Sequence, residues 1–142
     1  MLPAQFRKTV RESSYNNRIL CLDKHPRWNC LVGFGLSRKD LEFPAQLDRE
    51  EALAAQLGKD FDRDDRAQQL YAFTEVGFDD SGRFVVTDHV LGLAKIDDCI
   101  YFHAHGNFFS LWNPAELAKM GDTWDAAKAA CASFDAEARG RK

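Results

Sequence analysis

The sequence predicts an α+β protein of two related, strand-rich halves with short helices, followed by a C-terminal amphipathic helix. A strand-loop-strand stretch occurs twice, as ILCLDKHPRWNCLVGF from Ile19 and as CIYFHAHGNFFSLW from Cys99. Each copy is followed by a helix-capping signal that closes on Asp-Leu or Glu-Leu. Near the end, Trp124, Ala127, Cys131, Phe134 and Ala138 recur at spacings of three and four, which gives one apolar stripe on a polar helix. At 142 residues and 45% hydrophobic content, the chain can bury a core as one domain or as two small repeats.

Taken in order, LPAQFRKTV reads as a short helix or turn. Two strand candidates follow at 18–23 and 30–34, joined by the polar KHPRWN as a hairpin with a long loop. Ser37 with Asp40 three residues on has the form of a capping box. Asp48, Glu50 and Glu51 then open a helix over ALAAQL that Gly58 stops, and residues 66–73 are again helix-like. The period changes at Glu75, so a boundary is placed near Gly77. Residues 78–86 set apolar flanks around Asp-Asp-Ser-Gly, a hairpin signal, and strands are expected at 99–103 and 108–112. Asn113-Pro114-Ala115-Glu116 supplies an N-cap, a proline at the first helical position and an acid three residues after the cap, for a helix to Gly121. The expected divisions are therefore a first repeat at 1–76, a second at 77–121, and a C-terminal helix with a basic tail at 122–142.

Composition excludes several classes. No apolar run approaches the roughly 20 residues that cross a bilayer, and the N-terminus lacks the apolar segment of a secretory signal, so a cytoplasmic protein is expected. Cys21, Cys30, Cys99 and Cys131 show no CxxC spacing, which points to reduced thiols. There is no nucleophile elbow, Gly-rich phosphate loop or HExxH, so catalysis has no anchor and no cofactor is expected. The formal net charge of −3 is unevenly spread: residues 1–39 carry +6 and the remainder −9. Such a basic segment suits a polyanion-binding face, and equally a solvated surface poor in acids.

The two halves align further. His25 falls over His105, and Leu2-Pro3-Ala4-Gln5-Phe6-Arg7 over Val86-Thr87-Asp88-His89-Val90-Leu91. Asp79-Asp80-Ser81-Gly82-Arg83-Phe84-Val85-Val86 then fits an Asp-x-x-Gly-Arg pattern with alternating apolar residues. FFSLWNPAEL, LPAQFR and Cys30-Leu31-Val32-Gly33-Phe34 supply further matches. In these stretches, over about residues 1–120, the chain resembles the MraZ family. The resemblance implies two tandem AbrB-like swapped-hairpin repeats, a nucleoid-associated homo-oligomeric ring, and repression through repeated promoter sites on double-stranded DNA ahead of the division and cell wall genes. It departs from the family at Thr87, where Pro is usual, and at Leu91, where Arg is usual. The first half's own Asp-x-x-Gly-Arg element would fall upstream of Met1.

The candidate DNA contacts are Asp79, Ser81, Gly82 and Arg83. A Ser-Gly turn offers backbone N–H groups, the Arg83 fork can pair with phosphate or with guanine O6 and N7, and Asp79 can orient it. Arg7, Lys8 and Arg11 are candidate phosphate contacts. Two other readings compete. One is a structural or partner-binding oligomer that lost its DNA contacts. The other is a small zinc protein, because His103 and His105 alternate on one strand face with Cys99, Cys21 and His25 placeable nearby.

Overall fold

The computed structural model describes residues 1–140, with side chains through Phe134. It is α+β, and its strands and helices fall into two units described separately below. The first comprises Met1–Asp23 and Gly33–Val85, and the second begins with Lys24–Val32 and resumes at Val86. Among the described residues no helix is long and apolar enough to cross a membrane.

In the first unit, α1 (Ala4–Ser13) starts behind Pro3, whose carbonyl accepts from Phe6 N and Arg7 N. Leu2, Phe6 and Val10, one helical turn apart, form its buried edge. The helix ends in two left-handed residues, Tyr15 (φ 56°) and Asn16 (φ 64°). The wholly buried Ser14 ties this end down: its hydroxyl donates to Ile19 O at 2.7 Å and accepts from Leu36 N at 3.0 Å. Gly35 sits so close beneath α1 that a Cβ there would overlap Ser13 Oγ. Strands β1 (Ile19–Lys24), β2 (Leu31–Phe34) and β3 (Thr74–Gly77) lie in the order β3-β1-β2. β1 and β3 are antiparallel, from Ile19 opposite Gly77 to Leu22 opposite Thr74.

The helices of this unit depart from expectation at their starts. Ser37 is already helical and makes no capping bond, and Asp40 instead accepts from Tyr15 Oη at 2.8 Å. A π-turn at Arg38–Glu42 runs without a break into α2 (Phe43–Gln56), five residues ahead of the expected Asp48 start. Pro44, which has no N–H to donate, lies directly after the π-turn, where the helical bonding pattern shifts. Phe43 is placed edge-on to Phe34 (5.7 Å) and Tyr71 (5.4 Å), an aromatic cluster over which the Arg38 guanidinium lies. α3 (Arg63–Leu70) is capped by Asp62 and clamped to α2 by Arg63–Glu51 (2.8 Å) and Arg66–Glu50 (2.9 Å).

In the second unit, β4 (Tyr101–Ala104) and β5 (Phe109–Trp112) pair antiparallel, Tyr101 opposite Trp112 and Ala104 opposite Phe109, in the order β2-β5-β4. All four residues of β5 are buried. α4 (Asp88–Leu93) was not foreseen as a helix; Thr87, extended at its N-cap, accepts from Val90 N at 3.5 Å. α5 (Pro114–Leu117) starts as the sequence reading has it: Asn113 Oδ1 accepts from Ala115 N at 3.0 Å, and its Nδ2 donates to Lys95 O at 2.7 Å. It stops at Leu117, short of Gly121. After a 3₁₀ turn (Asp122–Trp124), α6 (Asp125–Gly140) buries Ala127 and Cys131 against Cys30, Trp112 and Leu117, while Phe134 stays 61% exposed. The Ala138 side chain and the basic tail at 141–142 lie outside the described residues.

The repeat seen in the sequence has local counterparts. The two hairpin loops close with the same bond, His25 N to Cys30 O (3.0 Å) and His105 N to Phe108 O (2.9 Å). α1 and α4 both begin two residues after the aligned Leu2 and Val86, and each is followed by a left-handed residue, Tyr15 and Lys95.

Candidate nucleic-acid interface

The Asp79–Arg83 segment is a closed loop in the first unit. Phe78 N donates to Arg18 O, which extends the β1–β3 ladder by one step, and the chain then turns with Gly82 N bonded to Asp79 O (2.9 Å) and Asp79 N to Arg83 O (3.1 Å). The hairpin expected at 78–86 keeps only its turn, for β3 ends at Gly77, residues 82–87 take no regular structure and Val85 is 85% exposed. Long-range bonding explains this. The Gly82 carbonyl accepts from Leu2 N at 2.6 Å, so the chain start occupies a site that a strand partner would use.

The loop's polar groups are turned inward. Asp79 Oδ1 accepts from both Ser81 N and Arg83 N at 2.9 Å, and these bonds, that to Arg83 foremost, hold its carboxyl below the usual carboxylate range. The backbone N–H groups of Ser81 and Gly82, expected from the sequence to be exposed, are therefore consumed inside the turn, as is that of Arg83. Gly82 has φ +81°, and a Cβ there would overlap Leu2 O and stand 2.8 Å from Arg7 Nε, so glycine is required on both counts. Arg83 points outward: its side chain is 75% exposed, and its Nε lies 4.0 Å from Asp79 Oδ2. Asp79 accordingly shapes the loop's backbone and holds the guanidinium only loosely.

α1 approaches the same loop. Arg7 donates from Nη1 to Asp80 O at 2.8 Å and from Nε to Leu2 O at 3.1 Å, which makes it a brace between helix and loop. Lys8 and Arg11 on the same helix are exposed. Together these residues line a groove of about 390 Å³ with Arg18, which is ion-paired with Asp80. The groove unites four cations (Arg7, Lys8, Arg11, Arg18) with three carboxylates (Glu12, Asp79, Asp80). Sequence reasoning counted Arg18 among the basic residues of the first 39 but gave it no role, because its place beside Asp80 depends on the β1–β3 pairing.

The residues of the zinc reading lie elsewhere, in the second unit apart from Cys21. His103 and His105 rings are 5.1 Å apart and edge-on, packed with Trp124, and His105 stacks on Phe108 at 4.8 Å. His105 Nε2 and Trp112 Nε1 both bond Ser110 Oγ, at 2.6 and 2.8 Å. His25 stacks on Trp28 at 4.1 Å, and its Nδ1 accepts from Arg27 N and Trp28 N at 3.1 Å. Cys99 is exposed, and burial pushes the Cys21 and Cys30 thiols up to about 12. Among the described residues no three His, Cys, Asp or Glu side chains converge as metal ligands. The histidines serve as packing and turn-closing groups.

No protein-family model matches the chain. Over 120 residues, 82% of this chain and 71% of the relative, it is 26% identical to the transcriptional regulator MraZ of Rhodospirillum rubrum. The chain is thus similar, at a distance, to a transcriptional regulator.

Proposed function

We propose that this chain is a DNA-binding transcriptional regulator whose contact face is the Asp79–Arg83 loop with the groove beside it. The observation that carries the reading is the convergence of the candidate residues. Asp79, Arg7, Lys8 and Arg11, chosen from separate stretches of sequence, line one groove in one unit, with the exposed Arg83 on the loop at its edge. The similarity to a MraZ regulator also supports it. In this reading Arg83 and Ser81 meet DNA through side chains, Asp79 and Gly82 keep the loop in shape, and Lys8 and Arg11 hold phosphates. Arg7 positions the loop. Tandem swapped-hairpin repeats assembled into a homo-oligomeric ring would present many such faces to repeated promoter sites of the division and cell wall genes.

The test is fluorescence anisotropy with a duplex from upstream of the protein's own reading frame, beside a scrambled duplex, over a salt series. Specific binding that weakens steeply with salt is expected, and Arg83→Ala should cost about 1–3 kcal/mol, as loss of a bidentate base contact does. The near balance of charge in the groove favours a second reading, an oligomer that binds a partner other than DNA. Salt-insensitive or absent binding to both duplexes would select it.

A further inference from the structure

We propose that Arg18 is a further phosphate-contacting residue of the groove, and that Asp80 occupies it in the free protein, so that DNA binding exchanges a carboxylate for a phosphate. The inference rests on the DNA-binding reading above and adds a residue pair that the sequence pattern does not supply. Arg18 lies immediately before β1, and its backbone is fixed to the loop by the bond from Phe78 N. Its guanidinium pairs with the Asp80 carboxylate in the same groove as Lys8 and Arg11. A guanidinium fork fits the two oxygens of a phosphate as it fits those of a carboxylate, so the two compete for one geometry.

The exchange is physically undemanding. The Arg18 side chain is 45% exposed and that of Asp80 is 80% exposed. An ion pair in that setting is screened by water and weakly held. Duplex DNA, with one negative charge per roughly 1.7 Å of axis, brings several phosphates to the groove at once and outcompetes a single carboxylate. Asp80 can give way without disturbing the loop, because its backbone carbonyl stays bonded to Arg7 Nη1 while the side chain rotates. Of the groove's three carboxylates, Asp79 is committed to the loop's own N–H groups, while Asp80 is ion-paired with Arg18, a cation that lines the groove.

The experiment compares the wild-type chain with Arg18→Ala, Asp80→Asn and the double variant for binding to the upstream duplex over a salt series. Arg18→Ala should weaken binding and flatten the slope of log K against log salt by about 0.9, one phosphate contact. Asp80→Asn should tighten binding, up to about fivefold at low salt for an exposed pair. The double variant should bind no more tightly than Arg18→Ala alone, because the gain requires the freed guanidinium. An unchanged slope in Arg18→Ala, or a gain from Asp80→Asn that persists without Arg18, overturns the exchange and leaves the DNA-binding reading standing. Wild-type protein that shows no salt-sensitive binding removes both. Arg18→Lys, which keeps the charge and lacks the fork, should keep the wild-type slope and so separates loss of a contact from loss of folding.

Discussion

At the residue scale, His25 shows how one side chain's chemistry fixes a loop. Its Nδ1 accepts two backbone N–H bonds and its ring lies flat on Trp28, so the fold requires the neutral imidazole. Burial foremost, with Arg27 and Lys24 nearby, lowers its pKa from 6.5 to about 4, and burial lowers His103 and His105 as well. As pH falls from 6.5 toward 4, the unfolded chain takes up protons that the folded protein refuses, so stability declines through that window. Denaturant midpoints followed by circular dichroism should fall between pH 7 and pH 5. In His25→Asn, whose Oδ1 can accept the same N–H groups without titrating, the fall should be smaller; an identical fall would place the sensitivity elsewhere.

At the element scale, α5 is held by local and distant bonds from one residue. Asn113 caps the helix with Oδ1 and reaches Lys95 O with Nδ2. Asn113→Ala should cost about 1–2 kcal/mol in thermal or chemical unfolding, the loss of a cap and of one further bond; a cost near zero would show that water replaces both. This helix was legible because its signals are adjacent in sequence. Both hairpins were legible for the same reason, since each pairs a strand with its immediate successor. α2 was misplaced because the π-turn leads into it ahead of the acids that looked like its start. α4 escaped notice because six residues are too few to display a helical period. In the candidate site, the sequence supplied the Asp-x-x-Gly-Arg loop and the cations of α1. It could not supply the bonds from Leu2 and Arg7 to the loop, nor the Arg18–Asp80 pair, which join residues more than sixty positions apart.

At the scale of the whole molecule, the proposed contact face, one loop and one groove of nearly balanced charge, is a weak one. Useful affinity for DNA must then come from many faces acting together, as the proposed ring provides, with tethered copies gaining roughly 10²–10⁴ in avidity. A duplex with two direct repeats of the bound site should hold the protein at least about tenfold more tightly than one with a single repeat, measured by anisotropy at equal site concentration. Equal affinity per site would mean that the copies act singly. The exposed Leu41, Leu53, Leu57 and Val85 are available to contacts between copies, and sedimentation velocity would report the assembly directly.

The aromatic packing of the second unit has a spectroscopic consequence. Trp28, Trp112 and Trp124 all lie in that unit, whereas the first unit contains only Tyr15 and Tyr71 as ultraviolet fluorophores of any strength. Red-edge excitation therefore selects emission from the second unit alone, and helix ellipticity, to which α1, α2 and α3 contribute, reads the first as well. The native chain thus carries a built-in optical label on one unit. Overlaying the two signals through a melt tells whether the units come apart in one cooperative step or in two, with no dye and no engineered residue.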